Sequence, residues 1–199
     1  MPGTKRICAD GEVFHALNRS VARLTLFENP DDYAAFMPVV DETWQKIPLT
    51  IYAMSMMPNR RHTHYETGGS GFLYQGRFNS FPIQTDEHLL TVIGYVERNP
   101  LRANLVNRAE EWFYGSAWLR HKKQTTPEWL KTPKKPTLPR NWRSLVNKPQ
   151  TDAELEAVRK SIVGSTPYGS EKSISNTAAR LSLESTTRPR GRPRVIIES

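Results

Sequence analysis

Tyr95 and Asn99 stand four positions apart in a helix-forming run, and His88 lies seven positions before the tyrosine. At that spacing all three fall on one flank of a helix. A phenol beside polar side chains suits a nucleophile next to a metal ligand. With a pKa of about 10, the phenol needs a cation to polarise its target and stabilise developing charge at neutral pH. His62 and His64 form a His-x-His pair around Thr63. In a strand, alternation would point both imidazoles to one face, and imidazole accepts Mn²⁺ readily. Cationic residues form the third group: Arg77 beside Gln75 in YQGRF, and Arg188, Arg190, Arg192 and Arg194 near the C-terminus. Plainer readings stand beside these, because a tyrosine on a helix flank is also a common half-buried packing residue and YQGRF also suits a turn into a strand.

Several elements must position these residues. Residues 12–17 read as a short strand, and Asn29 or Pro30 opens a helix whose first turn carries Asp31 and Asp32, as the helix dipole favours. Tyr33, Phe36, Val40 and Trp44 recur at helical spacing and are expected in the core. Residues 49–57 alternate weakly and read as a strand ended by Pro58 and Asn59. Gly68, Gly69 and Gly71 make a flexible link, residues 78–83 form the last strand, and Thr85 caps a helix running to about Arg98, where Pro100 stops or kinks it. Prolines and lysines dominate residues 122–148, a linker that wraps or floats. Residues 171–183 suit a short helix with Ser170 as N-cap and Ile174, Ala178 and Leu181 on one face. That helix is either half of a helix-turn-helix-like module or packed on the core.

Charge is divided unevenly along the 199 residues. Residues 1–119 carry 11 Lys and Arg against 13 Asp and Glu, whereas residues 120–199 carry 17 against 7, within a total of +8. The basic surface therefore belongs mainly to the C-terminal extension, where it attracts phosphate backbones through counterion release or remains a solvated tail. Within it, Arg190-Gly191-Arg192-Pro193 reads as an AT-hook-like core: glycine and proline keep the backbone slim, and the flanking arginines suit a narrow A·T minor groove. Hydrophobic residues make up 37% and no apolar run reaches membrane-spanning length, so a cytoplasmic protein with no membrane partner is expected. Cys8 is the sole cysteine, which excludes an intrachain disulfide.

The run YQGRFNSFPIQ, followed by YVERNPLRANLV at residues 95–106, resembles the REP-associated tyrosine transposases, single-tyrosine HUH enzymes that cut and rejoin single-stranded DNA at hairpins. VFHALNRSVARLTLFENPDDYAAF (13–36) is similar to the family's first strand and helix, IYAMSMMPN (51–59) to its second strand, and residues 139–162, 166–173 and 177–194 to its long-tailed members. The resemblance implies that Tyr95 attacks a backbone phosphorus to leave a 5′-phosphotyrosine. It also implies that two histidines and Asn99 hold Mg²⁺ or Mn²⁺. Arg77 and Gln75 are then DNA contacts, with Gly76 leaving room for the backbone.

After MPN, however, the family continues directly into a His-x-His strand and a helix. Here Asn59 is followed by RRHTHYETGGSGFLYQGRF, the pattern of an internal deletion. His62 and His64 sit two positions later than the family pair. The expected fold is accordingly α+β, a truncated ferredoxin-like sandwich with an antiparallel sheet in the parent order 4-1-3-2 lacking its third strand, plus a basic, partly disordered extension. The open edge and uncovered apolar surface predict a destabilised or oligomer-dependent domain. The expected divisions are a transposase-like domain over 8–120, a linker over 121–150, a helical segment over 151–184 and a tail over 185–199. Expected partners are single-stranded hairpin DNA, A·T-rich duplex through the tail and a second copy of the chain, in a nucleoid-associated bacterial protein. Cleavage is expected to be impaired, with a non-cutting DNA-binding remnant as the alternative.

Overall fold

The computed structural model describes residues 9–18, 27–58, 78–122 and 126–188. Strand β1 (Val13–Leu17) pairs antiparallel with β2 (Asn79–Ile83) in the register Val13 to Ile83, His15 to Phe81 and Leu17 to Asn79. Among the described residues these two strands are the whole sheet, in an α+β arrangement. Pro82 lies inside β2 without harming the pairing. Its carbonyl accepts from Tyr168 N (2.9 Å), so the side of the strand on which its N–H is missing faces away from β1. The Tyr168 carbonyl in turn accepts from Gln84 N (2.9 Å), making residue 168 a one-residue neighbour on that edge of β2.

Helix α1 (Pro30–Lys46) begins where expected, in a reciprocal cap: Asn29 Oδ1 accepts from Asp31 N (2.9 Å) and Asp32 N (3.1 Å), and Asp32 Oδ2 accepts from Asn29 N (3.1 Å). Tyr33 anchors it by stacking between Phe27 and Tyr114, with ring centroids at 4.4 and 3.9 Å. Val40 and Trp44 lie half-buried against a small cluster of Leu119, Trp129 and Leu130. Phe36 departs from the expected core stripe and is 37% exposed, because α1 meets the body along a narrow strip.

Helix α2 (Glu87–Glu97) is capped by Asp86 rather than Thr85: the Asp86 carboxylate accepts from His88 N (2.9 Å). It buries Leu89, Val92 and Ile93 against Phe81 and Ile83 of β2, and Val158, Ile162 and Tyr168 from the C-terminal half complete this core. The short helix α3 (Asn99–Arg102) follows at once. Pro100 does not end the helical path because it falls in a first turn, where a missing N–H leaves no bond unmade.

The segment 49–57 is not a strand of the sheet, contrary to its alternation. Its backbone groups are satisfied elsewhere: Ile51 N donates to Trp129 O (3.1 Å), Met56 N to Tyr114 O (3.0 Å), and Met54 O accepts from Ser116 N (2.8 Å). Only isolated bridges result, Ile51 with Leu130 and Ser55 with Gly115. The proline-rich stretch supplying the Trp129 and Leu130 partners is anchored by Trp129, 1% exposed, whose Nε1 donates to Asp41 Oδ1 (2.6 Å).

Helices α4 (Ser116–His121) and α5 (Trp142–Asn147) clasp the C-terminal end of α2. Glu97, with a wholly buried side chain, accepts from Ser116 Oγ (2.7 Å) and Arg120 Nε (3.0 Å) on Oε1 and from Trp142 Nε1 (2.8 Å) on Oε2. Arg98 Nη1 donates to Val146 O (2.9 Å), and Gln150 Nε2 to Thr91 O (3.1 Å). A second carboxylate, Glu110, joins the clasp: burial disfavours its charge, but hydrogen bonds from Asn147, Arg108 and Arg143 outweigh this and hold its pKa down to about 2.

Helix α6 (Asp152–Gly164) buries Val158 and Ile162. Helix α7 (Glu171–Arg180) starts at Ser170 as expected, but stops three residues earlier than its sequence pattern. Its face does bury Ala178 and Leu181, and Arg180 reaches Glu12 at 2.6 Å beside β1. The last described helix is α8 (Glu184–Thr187). No helix among the described residues is long and apolar enough to cross a membrane.

Candidate functional site

Strand alternation turns Val13, His15 and Leu17 to the face that receives α2, so β1 inserts an imidazole into an otherwise apolar surface. The His15 ring lies 5.1 Å from Phe81 and meets Tyr95 edge-on at 6.3 Å. Burial pushes its pKa down to about 4, so it is neutral near pH 7. Its Nε2 is closed to solvent and has no hydrogen-bond partner among the described residues.

On the α2 side, the helical path from Tyr95 continues through Arg98, whose N–H donates to Gly94 O, into α3. Asn99 therefore stands one turn beyond Tyr95, as its spacing implied. Arg102 stands a further turn on and folds back. Its guanidinium carbon lies 4.1 Å from the centre of the Tyr95 ring, a cation–π distance, and its Nη2 donates to Asn99 Oδ1 (2.7 Å). Arg102 Nη1 is likewise closed to solvent and without a hydrogen-bond partner among the described residues. Burial lowers the Arg102 pKa, Tyr95 acts to raise it, and the neighbouring Arg159 and Arg98 lower it further.

This arrangement does not fit a divalent ion at Asn99. The amide oxygen that such an ion would need already accepts from a guanidinium, and a second cation there would be repelled. His88 turns elsewhere too. Its Nδ1 is 2.7 Å from Asp86 Oδ1, and its ring packs on Tyr168 at 5.4 Å. Asp86, Glu87 and His88 are the one group of acidic and imidazole ligands among the described residues close enough to share an ion, with ligand atoms within 4.8 Å. They sit at the first turn of α2, about 10 Å along the axis from Tyr95.

Of the other residues singled out by sequence, Arg188 is exposed just after α8. His62, His64, Gln75, Arg77, Arg190, Arg192 and Arg194 lie outside the described residues. His15 and Arg102 were not anticipated. Alternation in β1 could have found His15, since it places a histidine between Val13 and Leu17. The i, i+3 spacing from Asn99 could have found Arg102. No family model, curated protein or solved structure matches the chain.

Proposed function

We propose that this chain is a DNA-binding protein of the single-strand tyrosine transposase type, with Tyr95 at the point where the strand would be held and with strand cleavage impaired. One observation carries the reading: Tyr95, Asn99 and Arg102 converge at the edge of the core, with a guanidinium 4.1 Å from the phenol ring. A cation over an aromatic ring suits a single strand, whose phosphates need positive charge and whose bases stack on flat surfaces. Antiparallel pairing of β1 with β2, with α2 laid across both, also agrees with the neighbouring first and fourth strands of a ferredoxin-like sandwich. The basic tail, Arg188 included, adds sequence-blind affinity for duplex backbone and a preference for A·T-rich minor groove. A second copy pairing along the edge of β1, which has no further strand beside it among the described residues, and nucleoid association belong to the same reading.

Impaired cleavage follows from the chemistry of Asn99. Its oxygen serves Arg102, so the phenol lacks the metal-centred activation implied for the transposases. Incubation with a hairpin-bearing single strand and Mn²⁺ tests the proposal. The expected result is retarded mobility without a covalent protein–DNA adduct. A robust adduct that disappears in Tyr95→Phe would show a working transposase instead, and the absence of any DNA affinity would remove the reading altogether.

A further inference from the structure

Phe113, shortly before α4, is 54% exposed, yet its position is fixed from both sides. Trp112 Nε1 donates to Met56 O (2.9 Å), and Tyr114 stacks on Tyr33 at 3.9 Å while its carbonyl accepts from Met56 N (3.0 Å). Both neighbours are tied down, so the ring between them is presented to solvent from an anchored backbone. It lies 4.1 Å from the Trp118 ring of α4 and 5.1 Å from Tyr114. Lys122 extends the row: its N–H donates to Trp118 O (2.9 Å), and its Nζ stands 4.8 Å from the centre of the Trp118 ring. A lone exposed ring needs no explanation. Here the bare ring ends a row of aromatics that carries a cation, and the sequence there reads His121-Lys122-Lys123. The nearby Glu111 carboxylate is engaged in accepting from Asn107 N and Arg108 N (3.1 Å each), which leaves the rim of the row basic.

We propose that Phe113, backed by Trp118 and Lys122, is a stacking platform for an unpaired base of single-stranded DNA, with Lys122 meeting the adjoining phosphate. The inference rests on the DNA-binding reading above and adds a second contact to it, because Trp118 packs on the Leu119, Trp129 and Leu130 cluster whereas Tyr95 packs on the main core. Every base has a flat face, so such a platform reads strandedness and tolerates any sequence. Duplex bases are already stacked on one another and cannot reach the ring. A second copy of the chain is the competing occupant of an exposed aromatic, and the basic rim favours a polyanion over a surface of the same charge.

The test uses the full chain and fluorescent oligothymidylate, at about 0.3 M salt to suppress the tail's counterion-release affinity, with a duplex of mixed sequence as the control. Phe113→Ala should weaken single-strand binding by about 5- to 150-fold, the range for one lost base-stacking contact, and leave duplex binding within about twofold. Phe113→Trp should bind as well as wild type. Phe113→Leu should lose nearly as much as Phe113→Ala, because it keeps apolar bulk without a flat face. Lys122→Gln should make the slope of log K against log salt shallower by about 0.7 for the single strand. Thermal unfolding checks each variant, and Phe113→Leu against Phe113→Trp carries the test if Phe113→Ala does not fold. Undiminished single-strand binding by a folded Phe113→Ala or Phe113→Leu overturns the platform while leaving the DNA-binding reading intact. Equal losses for single strand and duplex overturn it as well. Self-association that Phe113→Ala abolishes, with single-strand affinity unmoved, assigns the ring to a second copy instead. A wild type that binds neither DNA removes the platform and the DNA-binding reading together.

Discussion

Replacing Glu97 by Gln should damage this protein more than its near-identical shape suggests. The carboxylate accepts from Ser116 Oγ, Arg120 Nε and Trp142 Nε1 with its side chain wholly buried. A glutamine keeps only one acceptor oxygen. Placed toward Ser116 and Arg120, it turns its NH₂ against the Trp142 N–H, so two donors face each other; the opposite flip turns NH₂ against Arg120. Either way Arg120, whose side chain is 14% exposed, loses its counter-charge. Removing one partner of a buried ion pair costs about 3–5 kcal/mol. Arg120 keeps hydrogen bonds to Thr132 Oγ1 (3.1 Å), Lys131 O (3.2 Å) and Tyr52 O, which favours the lower end of that range. For a chain of this size the corresponding fall in Tm is about 6–20 °C. Urea and thermal unfolding of Glu97→Gln measure it directly. The double variant Glu97→Leu/Arg120→Met should cost less than either single change, since an apolar pair leaves no stranded charge. A loss below about 1 kcal/mol in Glu97→Gln, or strict additivity in the double variant, would refute the view that this carboxylate ties α4 and α5 to the end of α2.

Two further predictions concern charge. His15 has its folded pKa lowered from 6.5 to about 4, so the unfolded chain takes up the proton first as pH falls. Its contribution is complete above about pH 6.5 and is lost progressively toward pH 4, for a total of about 3 kcal/mol. The urea stability of the wild type should therefore fall relative to that of His15→Leu as pH drops across that window, and a pH-independent difference between the two would contradict it. Removing residues 189–199 deletes Arg190, Arg192 and Arg194 and spares α8. Duplex affinity should drop, and the slope of log K against log salt should become shallower by about 3. Equal affinity of the trimmed and full chains at physiological salt would assign the duplex contacts to the body instead.

Local patterns in the sequence were enough to locate α1, with Asn29 as its cap and Asp32 returning the bond, and the start of α7 at Ser170. They also identified β1 and β2 and the one-turn spacing of Tyr95 and Asn99. These features depend on neighbours within a few residues, where capping chemistry and period-2 or period-3.6 spacing act directly. Partners far along the chain decided the rest. Residues 49–57 have strand-like alternation, but hydrogen bonds to residues 114–116 and 129–131 draw their backbone away from the sheet. Glu97 looks like an ordinary helix-end glutamate until Ser116, Arg120 and Trp142 converge on it. At the candidate site the sequence supplied the phenol and the amide. The folded-back Arg102 and the imidazole contributed by β1 decided the electrostatics, because the charge around a side chain depends on what packs against it in space, and i to i+4 spacing leaves that open.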